Sequence, residues 1–241
     1  MLTLLLSLTA LATALLSGVF GMAGGMILMG VFAALLPVPT AMVMHGATQL
    51  TSNVSRAVIL RSHVYWRGFF CYVAGSLLAY LAMLSVSYTP EPLVVFLGLG
   101  LTPFVAALLP RRWVDFERPL PAAVTGFQVA MLQLIAGAAG PLLDIAFVDT
   151  RLNRNQIVAT KAATQVFSHS LKLAYFLPAV QGDEFSPQLI AAMLAATVAG
   201  TRLGTWLLER ISEAAFKRYT RAIVYAIGGT YLFKAGMLLL H

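Results

Sequence analysis

Apolar stretches of about 18–25 residues, each able to cross about 30 Å of hydrocarbon as a helix, recur along all of this 241-residue chain. They include Gly68–Val86, Pro92–Leu109, Leu120–Ala136 and Pro187–Leu208. Lipid offers no partner to a free N–H or C=O, so such runs must satisfy their own backbone as helices. Charged residues make up 10% of the chain, against about 25% in soluble domains, and the mean hydropathy is +0.84. No hydrophilic stretch is long enough to form a separate domain. These features predict one all-α membrane domain over residues 1–241.

The formal charge of +7 does not imply a nucleic-acid partner, because the basic residues sit in short loops between apolar runs, as in cytoplasmic loops of membrane proteins. A single cysteine, Cys71, excludes an intramolecular disulfide and a cysteine-rich metal site. Met1–Ser17 is apolar but lacks the basic start of a signal peptide, which predicts a retained helix.

Gly and Pro punctuate the chain. A helix over about 2–20 breaks at Gly21-Met22-Ala23-Gly24-Gly25, and a short apolar piece runs from Met26 to Leu36. Pro37-Val38-Pro39 stops it, and Thr40 is placed to cap a helix to about Ser62. Spans over 67–87 and 91–109 follow. The second half opens with 120–136, breaks at Gly137-Ala138-Ala139-Gly140-Pro141, continues as a short piece over 142–150, and ends with spans near 155–178, 187–208 and 213–240.

Shifting the chain by 116 positions aligns the two halves. Gly21 falls on Gly137, Gly24 on Gly140, Thr48-Gln49 on Thr164-Gln165 and Ser52 on Ser168, with eight identities in 39 positions between 18–56 and 134–172. Internal repeats of this kind are common in secondary transporters. Basic residues crowd Arg61–Arg67, Arg111–Arg118, Arg151–Arg154 and Arg210–Arg221, whereas the connections near Glu91 and Asp183-Glu184 carry none. With the basic loops in the cytoplasm, each Gly break becomes a hairpin or re-entrant pair. The reading is a multi-span bundle of two inverted repeats, about 1–110 and 118–241. Each is a Gly-broken hairpin plus three spanning helices, and both termini lie outside.

The helix after each break carries a polar stripe: His45, Thr48, Gln49, Ser52, Asn53 and Arg56 in the first half, and Lys161, Thr164, Gln165, Ser168, His169 and Lys172 in the second. Their spacing puts each set on one helix face, opposite Met42, Val43, Val54 and Val58 in the first half. Such a face cannot meet lipid, because an unpaired polar group there costs several kcal/mol. It either glues helices together or lines a site. The stripe is cationic, and helix N-termini starting after Gly25 and Gly140 would add positive dipoles. A small anion is therefore the expected substrate, held by Gly24, Gly25, Gly140, His45, Lys161, Thr48, Gln49, Thr164, Gln165, Ser52 and Ser168. Asp144, opposite Leu28 in the repeat, either pairs with Lys161 or Lys172 or carries protons, as His45 and His169 also can. His63, beside Arg61, Tyr65, Trp66 and Arg67, reads as an interface anchor. No His-Glu-x-x-His, Gly-x-Ser-x-Gly or Walker motif occurs, so no enzyme, metal or cofactor is expected. An anion channel would share the same stripe.

The segments GVFGMAGGMIL, MHGATQLTSNVSRAV and HVYWR, with AGAAGPLLDIAF and VATKAATQVFSHSLKLAYF, resemble the sulfite exporter TauE/SafE family of membrane transporters. The chain departs from that family's Gly-Thr-Ser-like segment, with His-Gly-Ala-Thr-Gln and Lys-Ala-Ala-Thr-Gln in its place. The resemblance implies export of sulfite, or an organosulfonate such as sulfoacetate, across the bacterial inner membrane by a multi-pass protein.

Overall fold

A computed structural model describes residues 2–20, 23–110, 115–180, 186–208, 210 and 213–240. The structure is all-helical over these residues. In the first half the helices are α1 (Leu2–Phe20), α2 (Ala23–Leu35), α3 (Val38–Ile59), α4 (Trp66–Val86) and α5 (Pro92–Leu108). The second half contributes α6 (Pro119–Ala136), α7 (Gly140–Ile145), α8 (Arg154–Phe176), α9 (Pro187–Leu208) and α10 (Glu213–Leu239).

Three expected boundaries move. Pro37, not Thr40, precedes α3, because Pro39 sits in the first turn, where its missing N–H has no bond to make. The α2 helix starts at Ala23, so Gly24 and Gly25 lie inside its first turn. The piece expected over 142–150 stops at Ile145. The α8 start follows from a reciprocal cap. The Asn153 side chain accepts from the Gln156 N–H, and the Gln156 side chain accepts from the Asn153 N–H, both at 3.0 Å. Gly21, Met22, Arg111, Asp183 and Glu184 fall outside the described residues, and nothing is described of the Lys217, Arg218 and Arg221 side chains.

Among the described residues three helical segments are both long and apolar enough to cross a membrane: Trp66–Val86, Pro119–Ala136 and Ala222–Leu239. Thr3–Val19 and Pro92–Leu108 are apolar but slightly short, while α3 and α8 have the length and carry the polar stripes. At 1.5 Å per residue, α2 is about 20 Å long and α7 about 9 Å, so neither reaches across about 30 Å of hydrocarbon. Leu78, Leu81, Phe70, Leu108 and Phe233 are exposed on the bundle's outside, where an apolar surface belongs only in contact with lipid. The protein is a membrane protein.

Packing couples the two halves. The α1 helix packs on α9, α4 on α6, α3 on α8 and α5 on α10. Two of these seams depend on glycine. A Cβ on Gly75 or Gly126 would strike the Ala123 or Tyr72 carbonyl between α4 and α6. One on Gly200 or Gly204 would strike the Leu11 or Leu15 carbonyl between α1 and α9. Small residues that let backbones approach are the usual means of joining helices in lipid, where the hydrophobic effect gives no pull. The core between the seams holds Met26, Met29, Phe32, Met42, Leu99 and Phe176. Both Met42 and Val43 are buried, so α3 is enclosed on that side too near its start.

Three connections meet at one end of the bundle. The Tyr65 N–H donates to Thr160 Oγ1 (2.9 Å), Phe116 N–H to the Ala146 carbonyl (3.2 Å), and Arg151 N–H to Glu117 Oε2 (2.7 Å). With the Tyr65 hydroxyl donating to the Glu117 carbonyl (3.3 Å), these bonds bring together 61–67, 115–118 and 146–154. At another connection, Tyr175 Oη donates to the Met83 and Tyr88 carbonyls.

Candidate functional site

Gly25 in the first turn of α2 and the Gly137–Gly140 break between α6 and α7 lie against the two polar stripes, with a small cavity among them. Gly25, His45, Gln49, Gln133, Ala138, Ala139, Gly140, Gln165 and His169 line it, and its size suits about one water molecule. Gly25 permits the approach, since a Cβ there would sit 3.3 Å from Gln49 Nε2. Gly137 ends α6 in the left-handed region (φ 83°), which only glycine adopts without strain. That turn aims its carbonyl at Lys172, whose Nζ donates to it at 2.9 Å.

Lys172 is fully buried and also bonds His45 Nδ1, at 2.6 Å. His45 Nε2 in turn lies 2.9 Å from the Gly25 carbonyl. A carbonyl only accepts, so Nε2 carries the hydrogen and Nδ1 is left to accept from Lys172. The His169 ring stands 5.6 Å from that of His45. No carboxylate contacts Lys172 among the described residues. Lys172 does not itself line the cavity; His45, to which it donates, does, and a buried ammonium is costly unless it is paired.

The amides are also incompletely satisfied. Gln133 Nε2 donates to Gln165 Oε1 at 2.9 Å, leaving Gln133 Oε1 and Gln165 Nε2 buried and unpartnered. His169 Nδ1 is likewise buried without a partner. Native structures leave few such groups, and these three belong to side chains that line the cavity.

The other expected site residues lie around this wall. The Thr48 hydroxyl bonds back to the Met44 and His45 carbonyls, and that of Thr164 to the Lys161 carbonyl. Ser52 bonds Thr201 (3.1 Å) and receives Arg56 Nη2 (3.3 Å), while Ser168 bonds the Tyr72 hydroxyl (2.6 Å). These contacts join α3 to α9 and α8 to α4. Asn53 bonds back to the Gln49 carbonyl. Gly24 packs against α1, where a Cβ would strike the Thr13 carbonyl and Ser17. Lys161 forms an ion pair with Asp144, with both side chains partly exposed (24% and 38%). His63 is exposed in a 3₁₀ turn at the bundle's end.

Sequence reasoning did not single out Gln133; of the two stripe lysines, Lys161 pairs with Asp144 and Lys172 lies behind the cavity on His45. Gln133 had a signal: it is an amide in the apolar run MLQLIA, one turn before the Gly break. Its repeat counterpart is Ser17, so the Thr-Gln alignment did not point to it.

An apolar-surfaced helical bundle with a small cavity among glutamines and histidines defines a helical membrane protein. The chain belongs to the sulfite exporter TauE/SafE family, whose sequence pattern it matches over residues 6–231. That is a family of membrane transporters for sulfur-containing anions. No curated protein and no solved structure matches the chain.

Proposed function

We propose that this protein is a secondary transporter that exports a small sulfur-containing anion, such as sulfite or an organosulfonate, across the bacterial inner membrane. The observation that carries the reading is a cavity lined by three glutamines and two histidines, one of which, His45, is hydrogen-bonded by the buried Lys172 amine that has no carboxylate beside it. A bound anion would complete the charge, and the amides would supply directional hydrogen bonds to its oxygens.

Alternating access between two inverted repeats is part of the same reading. The packing supports it. Exchanging equivalent helices of the halves turns the α1–α9 seam into α6–α4, and returns α3–α8 and α5–α10 to themselves. The basic segments Arg61–Arg67 and Arg151–Arg154 come together at one end through Glu117, which fits a cytoplasmic face there. Purified protein in liposomes tests the function: sulfite should leave or enter unchanged and with saturation. Chemical conversion of sulfite would indicate an enzyme, and flux linear in concentration would indicate a channel.

A further inference from the structure

We propose that the outer face of the α9 C-terminal end, formed by Arg202, Trp206 and Arg210, binds the headgroup of an anionic phospholipid. Such a lipid belongs to the bilayer itself, and its binding is independent of which solute the protein carries.

The course of α9 sets the depth of this face. The α8 helix ends beside the connection that Tyr175 ties down, and Leu189 and Met193 of α9 join the same core cluster as Phe176. The α9 helix therefore starts at that end and runs towards the end where the basic segments meet. Thr201 bonds Ser52 of α3, while Gly200 and Gly204 seat one side of α9 on the α1 backbone. At 100° per residue, Arg202 points away from both glycines. It is exposed, as are its neighbours Leu203 and Trp206, so the face is apolar apart from the arginine and turned to lipid. Arg202 lies about 9 Å before Leu208, the last residue of the 22-residue helix. A guanidinium left in hydrocarbon at that depth is costly, and its long stem lets it reach the headgroup level instead. Among the described residues Arg202 has no hydrogen bond or ion pair.

Arg210 supplies the second charge. Its Cζ sits 3.7 Å from the centre of the Trp206 ring, and Nη1 donates to the Trp206 carbonyl at 2.8 Å. The side chain is thus folded back onto the indole, the residue type that marks the membrane–water boundary. Arg202, Trp206 and Arg210 follow one another at intervals of four, so the two guanidiniums flank the indole on one face. A guanidinium's planar fork fits the oxygens of a phosphodiester. Two such groups favour a headgroup with net negative charge over a zwitterionic one, whose ammonium would be repelled by the second arginine.

Native mass spectrometry of the detergent-purified full chain tests the site, with dioleoylphosphatidylglycerol and dioleoylphosphatidylcholine as probes. The wild type should retain the anionic lipid preferentially. Arg202→Gln and Arg210→Gln should each weaken its binding by about fivefold and leave the zwitterionic lipid unchanged. Arg154→Gln removes the same charge from another exposed basic segment and should keep the preference. Inorganic phosphate or sulfite in millimolar excess should not displace the lipid. Equal retention of the two lipids by the wild type overturns the site, and needs no variant to fold. A preference lost as fully in Arg154→Gln, or displacement by the free anions, overturns it as well.

Discussion

Lys172 Nζ lies 2.6 Å from His45 Nδ1, joining side chains 127 positions apart on the central helices of the two halves. Neither residue is the other's repeat counterpart: position 45 aligns with Lys161 and position 172 with Arg56. The cavity's charge is therefore asymmetric even though its glutamines Gln49 and Gln165 are paired.

That asymmetry predicts different effects for two lysines. Lys172→Met removes the amine that holds His45 at the cavity wall and should weaken anion binding by about tenfold or more. Lys161→Met, which frees only a partly exposed ion pair, should change affinity by less than about threefold. Calorimetry with sulfite measures both, and equal losses would mean that Lys172 has no part in the site.

Gln49→Leu and Gln165→Leu should each raise the sulfite Kd by about tenfold or more, since each removes a polar contact from the cavity wall. Elution as a single species and an unchanged helical spectrum show that the fold survives. An unaltered Kd in both variants would sink the amide site.

Gly137→Ala should lower the melting temperature. The left-handed turn costs a non-glycine residue about 1–2 kcal/mol, and the new Cβ meets the Met29 side chain. Gly229→Ala, where a Cβ meets nothing within 4 Å, is the matched control and should melt as the native protein does.

Asp144→Asn distinguishes a structural ion pair from a proton carrier. With its carboxylate partly exposed, the pair contributes at most about 1 kcal/mol, so stability should fall slightly and the pH profile of flux should hold. A profile that flattens in Asp144→Asn would assign it the proton.

Sidedness is tested by single cysteines in a Cys71→Ala background. Ser62→Cys, in the exposed turn among the basic segments, should react with an impermeant thiol reagent only from the cytoplasm. Ser87→Cys, exposed after α4, should react only from outside. The reverse pattern would invert the assigned orientation.

The helices were legible because lipid leaves few choices. Apolar length and Gly/Pro breaks placed α4, α5, α6 and α9 to within about one residue. The Thr-Gln stripes were legible from their spacing, yet spacing on one helix cannot tell which neighbour each residue meets. Gln49 and Gln165 line the cavity, whereas the Ser52 and Ser168 hydroxyls of the same stripes bond α9 and α4. Spacing left open whether Asp144 pairs with Lys161 or Lys172; the structure pairs it with Lys161, 17 positions on, and the turn at Gly137 brings a carbonyl to Lys172.

The glycine seams also set an order of assembly. The backbone of α1 fits against Gly200 and Gly204, which are synthesised nearly the whole chain later. As the protein is made, α1 waits in the bilayer without its partner, and α4 waits for Gly126 of α6. Within the first half α1 finds only α2, which it approaches closely at Gly24, so its seam with α9 closes only when the second half is in place.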